Sequence, residues 1–188
     1  AALGKIGGDV AEKALQTALL TAKEENSASY LDALLTSAEA RMAKGEREKA
    51  AEIYASLVAP GNSTRARSAG LQGLALSDPV NAVPAILGAL AEPDKTLARS
   101  AAVAAHAIAT PETTQQFASQ LDKLPPSAQA LLIAALADRG DAAALGAVTA
   151  AVQSSDAAVS LAAVAALGKL GDASSVAQLA GLAGKAEG

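Results

Sequence analysis

The chain has 188 residues, a net charge of −4 and a pI near 5.0. It has no Cys, which excludes disulfides and thiolate metal sites and leaves the redox compartment undefined. Aromatic residues make up 2%, too few for an ordinary core built on large buried rings. The 15 Lys and Arg are scattered, unlike the clustered cations that displace counterions from nucleic acid. The longest apolar stretches, around 128–137 and 157–168, are too short and too Ala-rich to cross a bilayer.

The opening residues Ala2-Leu-Gly-Lys-Ile-Gly-Gly8 return almost letter for letter as Ala166-Leu-Gly-Lys-Leu-Gly-Asp172. Degenerate copies recur between them about every 31 residues, which predicts stacked helix-loop-helix units. The first is a leading half-unit near 1–24, with a corner from Leu3-Gly4 to Gly8-Asp9. The chain begins inside a repeat and without Met, so a fragment of a longer protein is expected. A first full hairpin is expected near 27–60, with Tyr30, Leu31, Leu34, Leu35, Ala38 and Met42 on one helical stripe and a corner at Lys44-Gly45-Glu46. Arg41, Lys44, Arg47 and Lys49 alternate there with Glu46, Glu48 and Glu52, the pattern of a solvated helix face.

A second hairpin, near 62–92, turns at Ser77-Asp78-Pro79 and carries the stripe Val80, Val83, Ile86, Leu87 and Leu90. A third, near 94–124, turns at Thr110-Pro111-Glu112; a fourth, near 126–154, turns at Arg139-Gly140-Asp141. The last, near 156–184, turns at Leu170-Gly171-Asp172 and ends on the stripe Val176, Leu179, Ala180 and Leu182. At each corner the same logic applies. Gly can end a helix in the left-handed conformation, Asp or Thr caps the next helix, and Pro fits its first position. Breaks between units are expected at 24–27, 60–63, 92–94, 124–127 and 154–156. No segment alternates with period two, so no sheet is predicted.

Candidate sites are few. Taking Arg67, Arg99 and Ser160 as equivalent puts Leu74, His106 and Leu167 in one slot, which makes His106 a neutral core residue. The same register makes Ala102 and Ala163 interior. Gly70 and Gly73 fit a close helix approach. Serines are plentiful, but none occupies a Gly-x-Ser-x-Gly elbow, and the Glu24-Glu25 pair reads as solvated. The reading is therefore no catalytic residues, no metal and no cofactor.

The segment from 62 to 184 resembles HEAT-like repeats of the Ala-rich bacterial type. The resemblance rests on Ala163-Val-Ala-Ala-Leu-Gly-Lys-Leu-Gly-Asp172, with echoes in Ile133-Ala-Ala-Leu-Ala-Asp-Arg-Gly-Asp141 and Ala82-Val-Pro-Ala-Ile-Leu87. Gly45, Ala50, Tyr54, Leu57 and Pro60 instead have the spacing of the second helix of a tetratricopeptide repeat, so 27–60 reads as a hybrid. The resemblance implies an all-α, right-handed superhelix of about five hairpins, one domain over 1–188. It also implies that Arg67 and Arg99 form a ladder between units, with acidic partners such as Asp78 and Asp94. HEAT-repeat metalloenzymes use repeated His-Glu pairs, whereas the single His106 here precedes Ala107. HEAT-like DNA glycosylases need a basic, aromatic-lined groove that this composition lacks.

The function implied is a non-enzymatic scaffold or spacer that binds a protein or peptide, with no nucleic acid and no membrane insertion. Second helices would line the docking face, with Gln115, Gln116, Gln120, Gln153 and Gln178 exposed there. The alternative is an accessory domain of a larger bacterial enzyme, extracytoplasmic among the options, whose catalytic domain lies outside these residues.

Overall fold

A computed structural model describes residues 8–21, 24–108 and 110–171. The described residues are helices, turns and bends, with no strand. Two compact units divide the chain, Ala1–Ala85 and Ile86–Gly188.

In the first unit α1 (Asp9–Thr21), α2 (Glu24–Ala43), α3 (Arg47–Val58) and α4 (Thr64–Ser77) follow one another, each packed on the next; α5 (Pro79–Ala91) comes after and spans the division between the units. The core is aliphatic: Leu15, Leu19, Leu31, Leu34, Ile53, Leu57 and Leu71 are buried. The α2–α3 corner turns on Gly45, whose φ of +77° suits a residue without a Cβ. Its amide donates to Met42 O at 3.0 Å and that of Glu46 to Arg41 O at 2.9 Å, satisfying carbonyls the helix end leaves open. The expected break at 24–27 is not found there, because residues 24–27 already belong to α2.

Gly70 and Gly73 let α4 lie directly on α3. An added Cβ would lie 2.7 Å from Tyr54 O at position 70 and 2.1 Å from Tyr54 Cδ1 at position 73. Tyr54, 7% exposed, is the bulky residue of α3, and the two glycines make its space.

The second unit contains α6 (Lys95–Ala107), α7 (Pro111–Gln120) with a 3₁₀ turn at Leu121–Lys123, and α8 (Pro126–Arg139). A second 3₁₀ turn, Ala142–Ala144, leads into α9 (Leu145–Ala151), and α10 (Ala157–Leu170) closes the described part. Helices α6, α8 and α10 lie side by side, and α7 packs on α9. The helix starts follow the sequence logic. Asp94 accepts from Thr96 N and Leu97 N, Thr110 from Thr113 N, and Asp156 from Ala158 N and Val159 N. Gly140 is left-handed at φ +69°, whereas Gly171 ends α10 in an extended conformation.

Burial follows a strict 31-residue register. The N-caps Ser63, Asp94, Pro125 and Asp156 stand 31 residues apart. Behind them Ala66, Leu97, Ala128 and Val159 are buried, as are Leu74, Ala105, Leu136 and Leu167. Arg67 is therefore equivalent to Ala98, not Arg99, and the equivalence read from sequence slips by one residue. His106 is exposed, because Ala105 fills the leucine slot. Ala102 is only half-buried, whereas Ala163 is fully buried as expected.

The slot that Arg67 does occupy has a local role. Arg67 Nε donates to Val58 O at 3.0 Å, Gln129 Nε2 to Leu124 O at 2.8 Å and Ser160 Oγ to Val152 O at 2.8 Å. Each side chain, four residues after its N-cap, reaches back to a carbonyl near the end of the preceding helix, where intrahelical donors run out. The expectations for residues 1–7, for the Glu24 and Glu25 side chains and for the last helix with Val176, Gln178, Leu179, Ala180 and Leu182 lie outside the described residues.

Candidate functional site

A groove of about 600 Å³ runs between α7 and α9, the second helices of successive hairpins. Its floor is small and apolar, from Ala118, Leu121, Ala147 and Ala151, and its edge carries Ser119, Asp122, Gln129, Gln153 and Ser154. Alanine on both walls leaves this space. With larger residues at 147 and 151, side chains of the protein itself would fill it.

The structure brings Gln153 to this groove, at an exposed position just past α9. Gln115 is exposed on α7, while Gln116 and Gln120 are half-buried there, and none of the three lines the groove. Gln120 accepts from Lys123 Nζ at 3.2 Å and donates to Ser119 Oγ at 3.4 Å. Gln178 lies outside the described residues. Gln129 was not anticipated. It starts from a first helix, and its bond to Leu124 O turns it toward the groove; the recurrence of polar residues at 67, 129 and 160 was the available signal. The one ionisable group of the lining is the Asp122 carboxylate. Such a surface can hold an apolar side chain and bond to peptide groups through amides and hydroxyls.

Two ionic clusters lie elsewhere. In the first unit, Arg41 lies among three carboxylates. Its Nε donates to Glu12 Oε1 at 3.0 Å, its Nη2 to Asp9 Oδ1 at 2.8 Å, and its Nη1 to Glu46. Ser37 Oγ adds a 2.6 Å bond to Glu12. Arg41 is only 11% exposed in its side chain, so it leaves the solvated face expected for it and ties α1 to the α2–α3 corner. Burial opposes the charge on Glu12, but the bonds from Arg41 and Ser37 outweigh it and hold the carboxyl below the usual glutamate range. The hydrogen bond from Arg41 likewise lowers Glu46.

In the second unit, Arg139 is buried, its side chain 1% exposed. It donates to Ala105 O at 3.4 Å, to Thr110 O at 3.2 Å and to Thr114 Oγ1. Thr114 in turn donates to Asp141 at 2.7 Å. Burial lowers the Arg139 pKa, and the bond from Thr114 lowers that of Asp141. The sequence reading treated this arginine only as part of a corner. Among the described residues, no three His, Asp or Glu side chains come together as a metal site, and no helix is long and apolar enough to cross a membrane.

Residues 114–188 match the family model for HEAT repeats, a segment that starts in α7 and covers less than half of the chain. No curated protein matches the chain. The match takes in the candidate groove and the fully buried Ala163 slot, and the described helices pack on their neighbours within each unit. The described residues form an all-α fold of successive helical hairpins, and the part of the chain from residue 114 onward is similar to HEAT repeats.

Proposed function

We propose that this chain is a protein-interaction scaffold or spacer, without catalytic chemistry of its own, and that the α7–α9 groove takes a segment of its partner. HEAT repeats generally serve as protein-interaction scaffolds. The observation that carries the reading is the groove itself, an alanine floor edged by Gln129, Gln153 and serine hydroxyls. A side-chain amide offers both a donor and an acceptor, which matches the alternating groups of a peptide backbone. Gln115, Gln116 and Gln120 extend the uncharged polar surface along α7, and Gln178 is proposed to continue it.

The test is a pair of arginine substitutions in a binding assay with a partner purified by its affinity for the immobilised chain. Ala150→Arg places a long cation in the groove and should abolish binding. Ala165→Arg, an exposed position on α10 outside both grooves, should leave it unchanged. A partner indifferent to Ala150→Arg and to Gln153→Ala would overturn the assignment of the groove. Turnover of a substrate by the purified chain would overturn the non-catalytic reading.

A further inference from the structure

A second groove, of about 470 Å³, lies between α6 and α8 in the layer of first helices. Along α6, Arg99, Val103 and His106 follow at i, i+4 and i+7, the spacing of one helix face. Across from them stand Leu131, Ala134 and Asp138 of α8. Val103 is 57% exposed, although Ala134 and Ala165 occupy its slot in the next two hairpins. The surface is thus apolar along its length, with charge only toward its ends.

We infer that this groove docks an amphipathic helix of a partner protein, apolar on one face and acidic along its flank. Two side-by-side helices leave a furrow into which a third can lay an apolar stripe. The charges select the sign of the flank. Asp138 is ion-paired with Lys169 of α10, so its charge is already answered within the fold. Arg99 is exposed and makes no hydrogen bond or ion pair among the described residues. On a chain of net charge −4, this edge presents a cation with His106 two turns further along. A carboxylate on the incoming helix pairs with Arg99 while leucine-sized residues cover Val103, Leu131 and Ala134. This face is separate from the α7–α9 groove, and the inference does not depend on that assignment.

The experiment uses the whole chain and two synthetic probes of roughly 18 residues, long enough to hold a helix. Both carry Leu and Ala on one face; one carries Glu on the other face and the second carries Lys. Fluorescence anisotropy at about 50 mM salt, where surface charges are only partly screened, reads the affinities. The Glu probe should bind roughly two- to fivefold more tightly than the Lys probe, about the worth of an exposed ion pair with Arg99. Arg99→Glu should reverse the preference, and Val103→Asp should abolish binding of both probes with the far-UV circular dichroism unchanged. Ala150→Arg should change nothing. The inference fails if the Glu probe does not bind, if both probes bind alike, or if binding ignores Arg99→Glu or Val103→Asp. It also fails if Ala150→Arg removes binding. A dimer in light scattering that Val103→Asp dissolves would give the face to a second copy of the chain and overturn the proposal too.

Discussion

Adding one methyl group to a glycine should have opposite effects at different places in this chain. At position 73 a Cβ would lie 2.1 Å from Tyr54 Cδ1, 2.2 Å from Cε1 and 2.5 Å from Cγ. Non-bonded carbons prefer about 3.5–4.0 Å. Rotating the ring about its own axis does not help, because Cγ lies on that axis. At position 70 the obstacles are Tyr54 O at 2.7 Å and Leu57 Cβ at 2.9 Å, so α3 and α4 must separate. Overpacking of this kind costs about 1–3 kcal/mol. The intrinsic helix preference of Ala over Gly returns only about 0.8–1.0 kcal/mol. With contacts this short the upper part of the range applies, so Gly70→Ala and Gly73→Ala should each lose about 1–2 kcal/mol net. Gly88 and Gly168 are exposed helical positions with nothing within 4 Å of an added Cβ. There Ala should gain about 0.5–1 kcal/mol. Urea titrations of the four variants would read this as midpoint shifts of opposite sign at constant m-value. In a double-mutant cycle, the penalty of Gly73→Ala should shrink when Tyr54 is replaced by Ala. A Gly73→Ala protein as stable as Gly88→Ala would refute the close approach of α3 and α4.

Three further outcomes follow from the same structure. The folded pKa of Glu12 is depressed, so its contribution to stability is present above the ordinary glutamate range and is lost as pH falls through the folded value. Glu12→Gln should therefore lower stability at neutral pH and flatten the acid limb of a stability–pH profile; an unchanged limb would show that the Arg41 cluster does not hold α1. Arg139→Leu removes charged hydrogen bonds to Ala105 O, Thr110 O and Thr114 Oγ1 and should cost about 1.5–3 kcal/mol, the worth of a hydrogen bond from a charged donor. A gain in melting temperature would mean that the slot, which holds Ile108 and Leu170 in other hairpins, prefers an apolar residue. Finally, Ala163→Leu should overpack the fully buried face of α10 and cost about 1–3 kcal/mol, while Ala102→Leu, half-buried at the rim of a groove, should be close to neutral. Equal effects in denaturant melts would contradict the 31-residue register.

The hairpins themselves were legible in the sequence, because Gly45, Asp78, Thr110 and Gly140 mark corners by chemistry that few other residues share. The inward faces were legible only where leucine marked them. Leu31, Leu34, Ile86 and Leu90 were placed inside and are buried. In α6 the signal inverts. Its buried positions are Leu97, Ala98, Ala101, Ala104 and Ala105, while the larger Val103 points to solvent. Alanine costs little on either face of a helix, so hydrophobicity does not distinguish a helix from the same helix turned by one residue. The slip that equated Arg67 with Arg99 arose there, and it misplaced His106 and Ala102 together. The ionic clusters were illegible for a different reason. Arg41 reaches Glu12 from 29 residues away, and Arg139 reaches Ala105 from 34, separations that depend on how helices stack rather than on local spacing.

The information that fixes register in this chain therefore lies mainly in the polar residues. Ser63, Asp94 and Asp156 cap first helices at multiples of 31 residues, and Arg67, Gln129 and Ser160, four residues after the N-cap positions 63, 125 and 156, bond back toward the preceding helix. A cap determines which residue is first in a helix, and that decides which alanines face inward. Once the interior is built from residues this small, neighbouring helices can approach closely, and the outward slots are released from packing. Two grooves use that freedom in the second unit, one with an alanine floor between α7 and α9 and one edged by Arg99 and Val103 between α6 and α8. An alanine-rich interior thus leaves the capping residues to specify the fold and the outward slots to specify what the surface binds.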